Sequence, residues 1–310
     1  MKQLIRRMAI ADLLGDARRT AAILLPVLLL LALRSPAPPA DLAPQVEKLS
    51  SELRELQQQS AMPVLVLNRH RESIGYLIGV YSFDGSEHVV GRKRMRTHFS
   101  GTGFVAAEGL IATNRHIAEP WFEDEEAQWL IARGARPRLE KLVAFFPARS
   151  DALELSHVTV SSDADVAVAQ YDVSKARALR PLPLSPEPGM PGDPVTVVGY
   201  PMGVRAMVAK SPRPVYRRLV SRRADFDVAR ELAALSLIRP LATQGHLGDV
   251  VGDKLIYDAV TAQGGSGGPV FNHEGRVIGV NAAYLDGFSG STIGVSIHAL
   301  RPLIEKAQRK

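Results

Sequence analysis

The chain has 310 residues, of which 46% are hydrophobic and 23% charged, with a formal net charge of +6. This composition can bury one or two cores and excludes a wholly disordered protein. Cysteine is absent, which excludes a disulfide framework, a thiolate zinc site and a cysteine nucleophile. The basic residues lie in several separate stretches without a recognition motif, so nucleic-acid binding is not expected.

The first patterned segment, residues 21–33 (AAILLPVLLLLAL), is apolar and uncharged. As a helix it reaches about 20 Å, short of the roughly 30 Å hydrocarbon core of a bilayer, so its length fits a cleaved signal peptide or a buried helix as well as an anchor. We favour an uncleaved anchor because prolines follow where a cleavage site should stand, and flanking arginines can reach the interface. Basic residues before the segment then place residues 1–34 as cytoplasmic tail and signal anchor. The rest of the chain is expected in the periplasm or another extracytoplasmic space, either anchored or, after signal cleavage, secreted.

Residues 35–61 are expected to form a Pro/Ala linker followed by a short amphipathic helix. Val46, Leu49, Leu53 and Leu56 recur at spacings of three and four. This seam covers about two heptads, whereas a confident coiled-coil prediction needs three to four. The helix either lies on the following domain or associates with a second copy of the chain, which leaves a homo-oligomer open.

From Met62 onward, short apolar runs alternate with turn residues, a pattern typical of an all-β sandwich or barrel. Residues 103–107 and 110–114 are two such strands. Two stretches interrupt this pattern with helical spacing, residues 119–141 and residues 217–241. They are read as insertions that decorate the fold or form the rim of a cleft.

The strongest local signal is Gln263-Gly-Gly-Ser-Gly-Gly-Pro-Val270. Glycines on both sides of Ser266 permit backbone conformations closed to other residues and leave its Oγ approachable. The string also fits the nucleophile elbow of α/β-hydrolases, in which an acid and then a histidine follow the serine. Only 44 residues follow Ser266. They read as strands around a turn, and their histidines, His273 and His298, are interpreted as turn and strand residues, so the elbow is disfavoured.

Two earlier residues complete a serine-hydrolase set. His116 stands at the end of a predicted strand, and Asp165 heads another, residues 165–171. A carboxylate buried against an imidazole fixes its tautomer and stabilises the imidazolium. Asp163 is the competing acid, and we prefer Asp165 because it abuts the strand that would bury it. The chain order His116, Asp165, Ser266 fits the two-barrel type of serine protease.

Five sequence boxes resemble the trypsin-like serine proteases, and among them most the bacterial HtrA (Deg) family. They run in the same order as in that family over roughly residues 101–300. The boxes are Thr113-Asn-Arg-His116, Asp163-Ala-Asp-Val-Ala-Val168, Val198-Gly-Tyr-Pro-Met-Gly203, Asp258-Ala259 before the glycine-rich string, and Gly294-Val-Ser-Ile297.

The resemblance implies two six-stranded antiparallel β-barrels over residues 62–310, with a boundary near residues 180–192. It implies a serine endopeptidase that cleaves unfolded or misfolded proteins, without a metal or organic cofactor. Gly265 replaces the usual Asn or Asp, so activation by a freed N-terminus is not expected. No residues after Leu300 suffice for a PDZ domain, so PDZ-type sensing is not carried over.

The resemblance also places the substrate-contacting residues. The oxyanion hole falls on Gly264, Gly265 and Ser266, with the N–H groups of Gly264 and Ser266 as donors. Val260, six residues before the serine, is expected at the base of the S1 pocket. An uncharged pocket favours an aliphatic P1 residue over Lys or Arg. The other substrate-binding residues are expected to be Gln263, Asn281, Ala282 and Ala283.

A non-enzymatic function remains as the alternative. The same fold could serve as a catalytically silent, membrane-anchored sensor or chaperone that binds peptides. All three triad residue types are present, which favours the enzyme.

Overall fold

The computed structural model describes residues 42–85, 96–176, 178–284 and 291–309. The predicted anchor at residues 21–33 and the start of the linker lie outside this range. None of the described helices is both long enough and apolar enough to span a bilayer.

Helix α1, Leu42–His70, is much longer than the short helix predicted from the sequence. It continues past Met62, where strands were expected to begin. Met62 and Val66, one helical turn apart, are buried, whereas Val64 is 61% exposed. Side chains four residues apart lie on the same face of a helix, and here that face packs into the core. This packing makes the apolar, β-branched stretch after Met62 helical despite its local strand propensity.

The chain divides into two compact units, residues 1–58 and residues 59–310. In the first unit, Val46, Leu49 and Leu53 of the predicted seam are 60%, 63% and 56% exposed. The second unit contains both barrels and the last turns of α1.

In the part of the chain that the structure describes, twelve strands form two closed six-stranded barrels, and all their strand pairings are antiparallel. The predicted pair of antiparallel barrels is thereby confirmed, whereas the predicted anchor helix, which lies outside that part, is not supported. The strand order is β1-β2-β3-β6-β5-β4 in the first barrel and β10-β11-β12-β9-β8-β7 in the second. The strands are β1 Ile74–Asp84, β2 Arg96–Ala107, β3 Leu110–Thr113, β4 Arg136–Phe145, β5 Leu153–Val160, β6 Ala167–Tyr171, β7 Pro194–Gly199, β8 Leu241–Val251, β9 Lys254–Tyr257, β10 Pro269–Phe271, β11 Val277–Tyr284 and β12 Thr292–Ser296.

Several strands are buried on both faces because the barrels share a core. In β1, Leu77 packs inside the first barrel, whereas Tyr76 and Ile78 belong to a cluster that includes residues of both barrels. Tyr76 meets Tyr200 of the second barrel edge-on, with ring centroids 5.7 Å apart. The Tyr200 hydroxyl donates to the Ile74 carbonyl at 2.9 Å. One face of each such strand fills its barrel and the other joins the barrels together.

The two predicted insertions contain helices. The first insertion, predicted at residues 119–141, contains α3, Glu125–Ala132. The last residues of that predicted insertion, from Arg136 onward, belong to β4. The second is a three-helix segment between β7 and β8 that begins earlier than predicted. His298 lies in the C-terminal helix and not in a strand, which corrects the prediction. The remaining helices are α2 Arg115–Ala118, α4 Gly203–Ala209, α5 Arg213–Leu219, α6 Asp225–Ala234 and α7 Ile297–Gln308.

Candidate active site

His116 lies in α2, directly after strand β3 of the first barrel. Its Nδ1 is 2.7 Å from Asp165 Oδ2, and its backbone N–H donates to Asp165 Oδ1 at 2.9 Å. The Asn114 side chain donates to the Asp165 carbonyl at 2.8 Å. Asp165 therefore fixes both the ring and the main chain of the histidine, and its own backbone is tied to the same short helix.

The competing acid, Asp163, makes no contact with His116. Its carboxylate accepts a hydrogen bond from the Ser162 hydroxyl at 3.0 Å and is exposed. Its backbone N–H donates to Ser161 Oγ at 3.2 Å, as in a local turn. The structure thus brings Asp165, and not Asp163, to the imidazole.

Ser266 follows a tight turn made by residues 262–265. The Gly265 N–H donates to the Ala262 carbonyl at 2.8 Å, and Gly264, the third residue of the turn, has φ +93°. This combination defines a type II turn, which favours glycine at that position. A Cβ on Gly264 would lie 2.6 Å from the Tyr200 carbonyl oxygen, so no larger residue fits there without a shift of the backbone.

Each carbonyl around the serine has a hydrogen-bond donor. The Gln263 carbonyl accepts from the Met202 N–H at 2.7 Å, and the Gly265 carbonyl from the Gly268 N–H at 3.1 Å. In a planar trans peptide the N–H points opposite to the C=O. Anchoring these two carbonyls therefore directs the N–H groups of Gly264 and Ser266 away from the protein scaffold. Met202 takes up a left-handed conformation (φ +61°) to make its contact.

The three predicted oxyanion residues differ in whether their backbone N–H group is free to donate to a ligand. In the described part of the chain, the N–H groups of Gly264 and Ser266 donate to no protein acceptor, so both can serve a ligand. The Gly265 N–H is engaged with the Ala262 carbonyl at 2.8 Å. Gly265 therefore has no free N–H to offer an oxyanion, and the expected donors remain those of Gly264 and Ser266.

The Ser266 hydroxyl donates to the Ala282 carbonyl at 2.6 Å. In this rotamer its proton is not directed at His116. Both side chains nevertheless line one open cavity of about 560 Å³. A rotation about the Cα–Cβ bond of Ser266 would redirect the hydroxyl toward the solvent side of the cavity.

The same cavity shows which other residues face the three candidate catalytic side chains. Gln263 and Ala282, both predicted to contact substrate, line it. The start of the first predicted insertion, residues 120–124, adds side chains at the rim of the cavity. The sequence predicted such a rim without naming its residues. The full lining is His116, Pro120, Phe122, Glu123, Asp124, Asp165, Thr261, Ala262, Gln263, Ser266 and Ala282.

Two predicted pocket residues do not contact this cavity. Val260 is 74% exposed, and its neighbouring residue, Ala259, is fully buried and held by the Thr292 hydroxyl at 2.8 Å. Val260 does not line the cavity that holds His116 and Ser266. Its place at the base of the S1 pocket stays a prediction.

Asn281 is fully buried, and its side chain bonds to residues of the surrounding segments. Its Oδ1 accepts from the Tyr257 hydroxyl at 2.7 Å, and its amide donates to Thr261 Oγ1 at 3.1 Å. Asn281 does not line the cavity itself, but it donates to Thr261, which does. Ala283 lies in β11, and its side chain is outside the described part of the structure.

Thr102 is a site residue that sequence reasoning missed. It is fully buried in β2, and its backbone N–H donates to the Ser266 carbonyl at 2.7 Å. Its only sequence signal is its place between two glycines in Gly101-Thr-Gly103. Among the described residues, no group of three or more His, Asp or Glu side chains is arranged to hold a metal ion.

Comparison with known proteins identifies the family. The sequence model described as the trypsin-like peptidase domain matches residues 101–280, more than half of the chain. Comparison with curated proteins gave no match.

Among solved structures, the active form of the Rv3671c protease from M. tuberculosis is 16% identical, covers 79% of this chain and 86% of its own, and superposes with a TM-score of 0.51. The serine endoprotease from Yersinia pestis is 19% identical, with a TM-score of 0.47 over 79% of this chain and 66% of its own. At 16% identity, the likeness to the Rv3671c protease concerns the fold alone.

Proposed function

The chain belongs to the trypsin-like peptidase family, and from this premise we propose that it hydrolyses peptide bonds with His116, Asp165 and Ser266 as its catalytic triad. The observation that carries the proposal is the shared cavity of these three side chains, with the Asp165 carboxylate 2.7 Å from the imidazole. The predicted serine-type peptidase is confirmed at the level of the family.

The reaction begins when the Ser266 hydroxyl rotates from the Ala282 carbonyl to His116 Nε2 as substrate enters. His116 takes the proton while Oγ attacks the scissile carbonyl, and Asp165 stabilises the imidazolium. The N–H groups of Gly264 and Ser266 hold the developing oxyanion. The imidazolium then protonates the leaving amine, and water hydrolyses the acyl-enzyme with His116 again as base.

The shape and chemistry of the cavity support unfolded polypeptides as the proposed substrate class. The cavity is open, so it admits an extended polypeptide, which unfolded or misfolded proteins offer. Thr261, Ala262 and Ala282 give its wall near Ser266 an uncharged surface, which suits a small aliphatic P1 residue. Glu123 and Asp124 on the rim would favour a basic side chain elsewhere in the bound peptide.

We further propose that the peptidase acts outside the cytoplasmic membrane, tethered by residues 21–33. The support is the uncharged apolar stretch and the basic residues before it. Val46, Leu49 and Leu53 of α1 are exposed, so this helix could associate with the same helix of a second copy of the chain.

Digestion of a denatured protein mixture by the full chain in detergent tests the proposal. We expect new N-termini whose preceding residues are mainly small and aliphatic, and none with Ser266→Ala at equal concentration. Asp163→Asn is the matched control and should digest like the wild type. Cleavage that persists in Ser266→Ala, with the same sites, would contradict the assignment.

One observation favours a second candidate, a peptide-binding scaffold without catalysis. The Ser266 hydroxyl donates to Ala282 and not to His116. If that rotamer persisted with substrate bound, the protein would bind unfolded chains and leave them intact. Binding of a denatured protein by the wild type, without any cleavage over hours, would support this candidate.

A further inference from the structure

We propose that Thr102 is a positioning residue of the peptidase site, which holds the oxyanion turn from the opposite barrel through its hydroxyl. The inference rests on the proposed function, because it assigns Thr102 a part in that reaction. Thr102 belongs to β2 of the first barrel, whereas Ser266 and its turn belong to the second. The side chain is fully buried.

Four hydrogen bonds converge on this residue. Its Oγ1 donates to the Gly264 carbonyl at 2.7 Å and accepts from the Tyr200 N–H at 3.0 Å. Its N–H donates to the Ser266 carbonyl at 2.7 Å, and its carbonyl accepts from the Thr113 hydroxyl at 2.7 Å. Each polar group of Thr102 thus has a partner, and its two donors hold the carbonyls on either side of Gly265.

The turn needs this support because its sequence gives it little rigidity of its own. Gly264 and Gly265 are consecutive glycines, the residues with the most backbone freedom. In this structure a Cβ at position 265 would lie 2.4 Å from Thr261 Oγ1, so the turn has no side chain there to restrain it. Within the turn the restraint is the hydrogen bond from the Gly265 N–H to the Ala262 carbonyl, and Thr102 adds restraint from outside.

The hydrogen bond from the Thr102 hydroxyl restrains the Gly264–Gly265 peptide, which directly follows the Gly264 N–H. Holding the Gly264 carbonyl fixes the plane of the Gly264–Gly265 peptide, and the Gly265 N–H then meets the Ala262 carbonyl at 2.8 Å. That contact closes the type II turn, which in turn aims the Gly264 N–H at the cavity. Without the hydroxyl, the Gly264 carbonyl loses its donor and the two glycines gain freedom to rotate.

A merely structural threonine would affect stability alone. Loss of its hydroxyl would leave the Gly264 carbonyl and the Tyr200 N–H without partners in a buried place, which destabilises any fold. A positioning role adds a defect confined to the chemical step, because the oxyanion is present only after substrate has bound. The two roles are separated by kcat and KM measured on folded protein.

The test compares Thr102→Val with Thr102→Ser, using a chromogenic peptide and the full chain at a temperature where circular dichroism shows both variants folded. Misplacing an oxyanion donor should lower kcat of Thr102→Val by about 10²-fold while KM changes by less than about threefold. Thr102→Ser keeps the hydroxyl and should retain kcat within about threefold of the wild type. Thr159→Val, the same change at a buried position of β5, is the control and should leave kcat unchanged.

The outcomes separate this proposal from the proposed function. A wild type that cleaves no peptide overturns the function itself. An active wild type with unchanged kcat in folded Thr102→Val, or with Thr102→Ser as slow as Thr102→Val, overturns the role of the hydroxyl. If Thr102→Val does not fold, a lowered kcat in Thr102→Ala with recovery in Thr102→Ser supports the role, and equal kcat in the two overturns it.

Discussion

Asp165 holds His116 at two points, the ring nitrogen and the backbone N–H. A carboxylate placed in this way selects the imidazole tautomer whose Nε2 is free to take a proton. Asparagine keeps the size of the side chain and removes its charge. Asp165→Asn therefore tests the charge of Asp165 without leaving a cavity beside His116.

We predict that Asp165→Asn lowers kcat by about 10⁴-fold with the fold intact, because the imidazolium loses its counter-charge and the tautomer is reversed. Steady-state cleavage of a peptide, together with circular dichroism, measures both properties. Asp163→Asn removes a carboxylate two residues away and should leave kcat unchanged. Equal losses in the two variants would mean that neither acid serves His116 specifically.

His70 provides a pH-dependent prediction outside the site. It is buried and stacks on Phe271 with ring centroids 5.4 Å apart. Burial, and secondarily the charge of Arg69, lowers the pKa of His70 below its ordinary value of 6.5. The unfolded chain therefore binds a proton more readily than the folded one, so the free energy of unfolding falls as pH drops through 6.5 toward the folded-state pKa.

His70→Leu removes this titration and should reduce the loss of stability on acidification. Urea unfolding at about pH 7.5 and about pH 5 measures it, as the difference between the two free energies of unfolding. We expect a smaller difference in the variant than in the wild type. An equal or larger difference would show that His70 is not the group responsible.

Chain order and residue type singled out His116, Asp165 and Ser266, and the structure places all three around one cavity. The choice of Asp165 over Asp163 depended on which of the two abuts a strand. Val260 does not line that cavity, because a count of positions cannot tell which way a side chain points. Thr102 was missed because its contacts join residues 162 positions apart, and no local pattern marks such a pair.

Helix α1 shows the same limit at the scale of elements. The all-β pattern was expected to begin at about Met62, yet the helix continues to His70, and Met62 and Val66 are buried one helical turn apart. The core that these side chains reach decides their conformation, and sequence alone does not supply that core. The predicted strand 110–114 agrees closely with β3, whereas the predicted strand 103–107 covers only the end of β2, Arg96–Ala107.

The packing of α1 predicts a difference between two valines of the same helix. Val66 is 2% exposed and Val64 is 61% exposed. Val66→Ala should lower the free energy of unfolding by about 1–3 kcal/mol, because it leaves a cavity in the core. Val64→Ala should change it by less than about 0.5 kcal/mol. Denaturant melts of the two variants provide the comparison, and equal effects would contradict the helical register.

For the whole molecule, the sequence predicted two barrels, and the structure adds that they share one buried cluster. Tyr200 from the second barrel donates to Ile74 of the first at 2.9 Å, and Thr102 reaches the serine turn in the other direction. Contacts between distant strands are set by packing, so the barrels could be predicted from the sequence but the contacts that couple them could not.

This coupling predicts cooperative unfolding of the two barrels. Both tryptophans, Trp121 and Trp129, lie between β3 and β4 of the first barrel. Val198→Ala, at a fully buried position of β7, should destabilise the protein by about 2 kcal/mol. Tryptophan fluorescence and circular dichroism should shift together. A fluorescence transition that stays unchanged would mean that the barrels unfold independently.

Ser266 is proposed to be a nucleophile that His116 activates. Reaction of the full chain with a peptidyl phosphonate, followed by mass spectrometry of the digested protein, measures this activation. We expect a single adduct on Ser266, whose formation is slowed by at least about 10³-fold in His116→Ala. No adduct in the wild type, or equally fast labelling in both proteins, would show that His116 does not activate Ser266.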